Sequence, residues 1–270
     1  EVAHLGCFTH QQVMAHQPGH GFGLRRRQAK PGAQFEGDPF ARHPELRDLI
    51  KPASQSGFRT RSMADTLAWL SKAGIRTDWF YSDAEREAIR LEAFTGRPDE
   101  DLWVFAYGSL MWDPALKFTD VRRAFVPGYS RQFILKDTLG GRGTEEAPGV
   151  MAALDHGAGC DGLAFRIAAR DIEGEAEILW RRECIGPGYH PVFVPAELLD
   201  ETVEVLTFQA DHDADLICSE ITRDEQVRYL ATGTGLFGSS LEYISNIIEH
   251  FETMGIDDPH IRELQSAALD

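Results

Sequence analysis

A chain of 270 residues, 43% of them hydrophobic, is long enough for one large domain, or one domain with an appendage, and can bury a real core. Its formal charge of −16 argues against nucleic acid and anionic membranes as main partners. No run approaches the roughly 18 apolar residues of a membrane helix, and no apolar leader follows Glu1. The four cysteines (Cys7, Cys160, Cys184 and Cys218) form no Cys-x-x-Cys pair. Thiols in a reducing cytoplasm are expected, not a disulfide framework.

Residues 1–62 differ from the acidic remainder. They hold nine Lys and Arg against five Asp and Glu, and half of the ten His. HQPGHGFG, RRRQAKPGAQ and KPASQSG within them are rich in breakers and show neither helical nor strand period. The expectation is a disordered or loosely attached, or non-native, extension, with Met63 a candidate start of translation. His4, Cys7, His10, His16 and His20 lie there. His16 and His20 have a metal-ligand spacing, but Pro18-Gly19 precludes the helix that would put both on one face, so no metal site is expected.

Residues 63–100 read as a helical lead-in. MADTLAWLSKAG has apolar residues at helical spacing and a glycine stop, and Ser82 with Glu85 forms a capping box ahead of a second helix. The main domain, 101–270, offers strands at 102–110, 123–135, 149–157, 162–168, 190–198 and 202–210. Helices are expected at 171–184, 213–231, 240–254 and 259–267, the last opened by Asp258-Pro259. Strands come first, one helix interrupts them, and helices close the chain. That order predicts an α+β fold on a small, strongly curved, mixed or antiparallel sheet. Gly233-Thr-Gly235-Leu-Phe-Gly238 is formally GxGxxG, but it follows a helical pattern rather than a strand. It predicts a turn between helices, with Ser239 and Glu242 capping the next one.

The helix DIEGEAEILWRREC carries the chemistry. At about 100° per residue, Glu183 falls at the centre of the stripe formed by Ile172, Ala176, Leu179 and Trp180, while Arg181 and Arg182 fall outside it. Desolvation there would raise the carboxyl pKa toward neutrality, the state suited to taking and returning a proton. A buried ion pair with Arg131 or Arg142, or a last-turn residue reaching water, would place a Glu there equally well. At the first strand's end, Tyr107-Gly108-Ser109 lets the backbone approach a ligand closely, and its N–H groups could hold an anion. Ser109 lacks the GxSxG elbow and is not read as a nucleophile. Tyr243 sits at the flank of its helix's apolar stripe, within reach of a pocket or merely at its rim.

Together these segments resemble the ChaC-like γ-glutamylcyclotransferases, the glutathione-specific branch of that superfamily. The resemblance runs from Trp103 to about Leu264, through VFAYGSLMW (104–112), GYSRQF (128–133), RGTEEAPG (142–149) and CDGLAFRI (160–167). LWRRE (179–183), ATGTGLFGSSLEYI (231–244) and MGIDDPHI (254–261) complete it. It implies a γ-glutamylcyclotransferase-like barrel with flanking helices around one pocket. The implied reaction is ring closure of the γ-glutamyl group of glutathione to 5-oxoproline with release of cysteinylglycine, a carbon–nitrogen lyase activity. No cofactor or metal is implied, since both reacting atoms belong to one small-molecule substrate. Glu183 matches the family's catalytic glutamate, and Val104, Phe105, Ala106, Tyr107, Gly108, Ser109 and Leu110 match the loop that binds the γ-glutamyl head. Ala106 stands where the family usually has Gly, and Met111 where it usually has Ile. Gly186-Pro-Gly188 looks like an insertion at the pocket mouth, which leaves substrate range open. Cyclisation of other γ-glutamyl amino acids or amines, or a regulatory γ-glutamyl-binding protein without catalysis, remain alternatives. Glu183 and Tyr107-Gly108-Ser109 are expected to line the same pocket.

Overall fold

The computed structural model describes residues 37–270. Within these, a four-residue helix α1 (Gly57–Thr60) precedes α2 (Met63–Lys72) and α3 (Asp83–Ala93). The domain proper then runs β1 (Leu102–Ala106), β2 (Asp120–Asp137), β3 (Gly149–Ile167), α4 (Ile172–Glu183), β4 (Tyr189–Glu197) and β5 (Thr202–Ala210). It closes with α5 (Arg223–Thr232), the two-residue strands β6 (Thr234–Gly235) and β7 (Gly238–Ser239), α6 (Ser240–Met254) and α7 (Pro259–Leu269).

The expected α+β fold is present. The five long strands close into a barrel in the order β1-β3-β2-β4-β5. Antiparallel pairings join successive strands in that order, while β1 and β5 meet in parallel at Trp103–Val205 and Val104–Leu206, and β3 and β5 at Leu154–Gln209. β1 is buried along its whole length, as befits a central strand with packed neighbours on both faces. Helix α4 covers the barrel with Ala176, Leu179 and Trp180, all at most 1% exposed.

Three boundaries differ from the sequence reading. Residues 149–157 and 162–168, expected as two strands, form the single strand β3. Gly159 and Gly162 do not break it. A Cβ on Gly159 would overlap the Phe125 ring, and one on Gly162 would overlap the Ala106 carbonyl, so these glycines admit close neighbours within the ladder. Helix α5 begins at Arg223 rather than 213, where Thr222 and Glu225 form a capping box. The preceding residues instead hook onto β2, through Lys136 N to Leu216 O (2.9 Å) and Cys218 N to Ile134 O (2.8 Å). Gly233–Gly238, read as a plain turn between helices, is a minimal hairpin. It hangs on the 140s loop through Leu236 N to Gly140 O and Phe237 N to Gly141 O.

The fourth difference concerns the segment expected to be loose through residue 62. Residues 37–62 belong to the folded domain, and Leu46 and Ile50 sit in the main core at 0% and 3% exposure. Lys51 pairs with Asp113 at 2.7 Å, and its backbone N–H donates to Trp112 O. The physical reason is that the segment consists of single 3-10 turns and one four-residue helix, too short to show a helical period, so the burial of Leu46 and Ile50 depends on what they pack against. The histidines and cysteine of residues 4–20 lie outside the described residues.

The lead-in helices pack as the sequence suggests. Ser82 and Glu85 form the expected capping box, and α3 lies on α4, where Arg90 bridges Glu87 and Glu173. Phe94, after α3, stacks on Trp180 with ring centroids 5.5 Å apart. Beyond it, the Gly186 segment receives the chain leading into α3: Trp79 lies against Gly186, and Tyr81 N donates to Ile185 O at 2.9 Å. No helix among the described residues is long and apolar enough to cross a membrane.

Candidate active site

Glu183 is the last residue of α4, and its side chain is 15% exposed. Burial raises its carboxyl pKa, and the neighbouring Arg182 guanidinium opposes that rise. The ion-pair partner is therefore Arg182, with Nε 3.1 Å from Glu183 Oε1, and neither Arg131 nor Arg142. Arg182 lay outside the apolar stripe by helical angle, yet its side chain is only 2% exposed, because α1 packs over that flank.

Three tyrosines face this carboxylate from different elements. Tyr107 follows β1, Tyr189 opens β4 and Tyr243 lies in the first turns of α6. Burial is the largest cause of a raised phenol pKa in each, and the Glu183 charge adds to it. Tyr243 is pushed up to about 12. All three phenols stay protonated at neutral pH and can act as hydrogen-bond donors. Tyr107 Oη donates to Phe208 O at 2.9 Å across the barrel. Tyr189 was missed in the sequence; its only signal is a tyrosine placed directly after Gly186-Pro-Gly188 at a strand start.

The loop after β1 lies at the same place. Arg182 Nη2 donates to Ser109 Oγ at 2.9 Å, so one guanidinium touches both the loop and Glu183. Val104, Phe105 and Ala106 are within β1 and fully buried, with Leu110 and Met111 just beyond in a short 3-10 turn. Arg182 thus links Ser109 to Glu183, and the Glu183 charge acts on the Tyr107 phenol. The strand itself stops at Ala106 rather than Leu110, which frees the backbone of 107–109 from the ladder.

Arg131 and Arg142 now have distinct surroundings. Arg131 Nε donates to Tyr107 O at 2.7 Å and Nη2 to Asp161 O at 2.6 Å, with the guanidinium over Phe251. It is a strut that fixes the loop from behind. Arg142 lies 5.1 Å above the Tyr243 ring, and Nη1 donates to Ser239 O at 2.9 Å. Burial depresses its pKa, and among the described residues no carboxylate lies within ion-pair distance of it. Asp137 holds its loop by accepting from Leu139 N and Arg142 N.

Gly108 has a definite steric role. A Cβ there would overlap the hydroxyl of Tyr243, whose ring is wedged against Trp112 and Phe133 and is 3% exposed. Gly108→Ala is expected to cost about 1–3 kcal/mol by overpacking. Adding Tyr243→Phe, which removes the overlapping atom, should recover most of it; thermal unfolding of the two chains checks this.

No group of three or more His, Cys, Asp or Glu among the described residues is arranged to hold a metal. What the geometry brings together is a largely buried carboxylate at a helix end, three protonated phenols around it, and the loop 107–109, joined to it through Arg182. The chain belongs to the ChaC-like protein family, whose sequence model matches residues 102–269. It is 32% identical over 192 residues to the glutathione-specific gamma-glutamylcyclotransferase of Escherichia coli, covering 70% of this chain and 83% of that one. It is 28% identical over 173 residues to the human glutathione-specific gamma-glutamylcyclotransferase 1, covering 62% and 78%. A yeast gamma-glutamylcyclotransferase specific to glutathione shares the fold, with a TM-score of 0.58 at 20% identity over 63% of this chain and 96% of that one.

Proposed function

We propose that the chain is a glutathione-specific γ-glutamylcyclotransferase in which Glu183 is the acid–base group. The observation that carries this is the Glu183 carboxylate, 15% exposed, raised in pKa and joined through Arg182 to Ser109 of the 107–109 loop. The substrate's α-ammonium gives a proton to ionised Glu183, and the freed amine attacks the γ-carbonyl carbon of the same molecule. A new C–N bond closes the five-membered ring. The ring nitrogen sheds its second proton as the peptide C–N bond breaks, and the departing cysteinylglycine nitrogen receives both protons, one of them returned by Glu183, and leaves as an ammonium. Protons balance, and no further reactant enters. Holding both reacting atoms in one bound molecule supplies much of the rate enhancement.

The backbone N–H groups of Tyr107, Gly108 and Ser109, which lie beyond the β1 ladder that holds Val104, Phe105 and Ala106, receive the γ-glutamyl head, and the Tyr243 phenol donates to it. Arg142 is a cation suited to a substrate carboxylate, since no protein carboxylate pairs with it among the described residues. The free cysteines among those residues, Cys160, Cys184 and Cys218, suit a reducing cytoplasmic setting.

The test is to incubate the protein with glutathione and, separately, with γ-glutamyl-alanine, following 5-oxoproline by chromatography. Release from glutathione is expected. Release from γ-glutamyl-alanine alone would move the assignment to other γ-glutamyl amino acids. Binding of glutathione without release from either would make the chain a γ-glutamyl-binding protein.

A further inference from the structure

Phe58 lies in α1, well before the matched residues 102–269, yet its ring reaches the site. The Arg182 guanidinium carbon sits 4.5 Å from the centre of the Phe58 ring. The same ring also meets Phe237 of the β6–β7 turn, with centroids 6.2 Å apart, and Phe237 in turn meets Trp69 of α2 at 6.0 Å. Phe58 is 36% exposed and Phe237 44%. The aromatic layer is therefore a cover on the outside of the site and not part of the barrel core.

Beneath this cover, Arg182 divides its nitrogens between two functional groups. Nη2 holds Ser109 Oγ, and Nε lies 3.1 Å from Glu183 Oε1, an ion pair without hydrogen-bond alignment, and has no hydrogen-bond partner. A guanidinium stacked on an aromatic face is fixed in its plane and shielded from water on that side. We propose that Phe58 is a positioning residue for the cyclotransfer site: it caps Arg182, which orients Glu183 and Ser109, and it keeps water from both. This rests on the reading of Glu183 as the proton carrier.

The groups facing Glu183 from its surroundings are Arg182 on its own helix, Tyr107 after β1, Tyr189 on β4, Tyr243 on α6 and the Cys184 thiol, with Arg86 of α3 beside that thiol. The phenols and thiol are neutral near pH 7, so burial and Arg182 dominate the carboxylate's environment. Removing Phe58 admits water. Burial, the larger influence, weakens and lowers the carboxyl pKa; the weakened pull of Arg182 acts the other way but is smaller.

The test compares the full chain with Phe58→Ala, Phe58→Leu and Phe58→Trp. Two measurements are needed: kcat/KM for glutathione against pH, and the titration of the Glu183 carboxyl by 13C NMR, with Glu183→Gln identifying its signal. Phe58→Ala is expected to lower kcat/KM about tenfold, mainly through kcat, and to move the acid limb to lower pH. The NMR titration should shift the same way. Phe58→Leu keeps the apolar bulk without the π face and should fall in between, while Phe58→Trp should restore both readouts. A rate and a titration unchanged in Phe58→Ala would overturn the proposal, as would losses that merely follow Tm with no shift on the pH axis. If the wild type releases no 5-oxoproline, the cyclotransferase reading fails first, and the NMR titration still decides whether Phe58 shields Glu183.

Discussion

Glu183→Gln is expected to lower kcat for 5-oxoproline release by about 10²–10⁴-fold, the usual contribution of a positioned acid–base group, while glutathione binding changes little. Gln has nearly the same shape, and Arg182 keeps its hydrogen bond to Ser109 independently of Glu183, so the Ser109–Arg182 contact should persist. What is lost is a group able to take the ammonium proton. Isothermal titration for binding and a discontinuous product assay for kcat separate the two effects. Equal activity in the variant would remove Glu183 from the mechanism.

The pH dependence follows from the same burial. Glu183 must be ionised to accept the proton, and burial raises its pKa. The acid limb of kcat/KM is therefore expected above the ordinary carboxylate range. For stability the sign is opposite to that of an ion-paired surface acid. The folded state binds the Glu183 proton more tightly than the unfolded chain does. Its contribution thus favours folding at low pH and declines as pH rises from the unfolded pKa through the folded one. Above both, the full penalty of a buried charge remains. A carboxylate kept on those terms fits a catalytic role better than a structural one.

The site was legible in the sequence where local periodicity decides geometry. In α4 the 3.6-residue repeat alone places Glu183 among Ala176, Leu179 and Trp180, and the structure keeps it there. The loop 107–109 was legible from its small residues. Arg182 was not, because the helical angle says only that it leaves the stripe. That this flank is covered by Phe58 is a tertiary fact. Tyr189 was equally silent, a single tyrosine at a strand start with no pattern around it. In β3, glycines that normally punctuate a chain serve instead to let Phe125 and the Ala106 carbonyl approach. The closure of β1 against β5 is a long-range pairing that no local pattern encodes.

The largest misreading leads to the second major expectation, that Arg59→Ala destabilises the domain by about 3–5 kcal/mol, the cost of stripping one partner from a buried ion pair. Arg59 of α1 meets Glu175 of α4 through two hydrogen bonds of 2.6 and 2.8 Å, and its Nη1 also donates to Ala115 O at 3.0 Å. Glu175 is 3% exposed and accepts in addition from Lys117 N at 2.8 Å. Ala115, fully buried with φ 60°, bends the chain so that its carbonyl and the Lys117 N–H both face this pair. Without Arg59, the Glu175 charge stays buried with one backbone donor. The double variant Arg59→Ala/Glu175→Ala is therefore expected to be more stable than Arg59→Ala alone, a coupling that urea unfolding of the two singles and the double would measure. A chain beginning at Met63 loses Arg59, Lys51, Leu46 and Ile50 together, and should be less stable than the single variant. It also loses Phe58, so its catalytic rate should fall even at temperatures where it stays folded. Unchanged unfolding and an unchanged rate in that shortened chain would return residues 37–62 to the loosely attached status their composition suggests. The geometry argues otherwise, because the residues that fasten this segment touch the same helix that ends in Glu183.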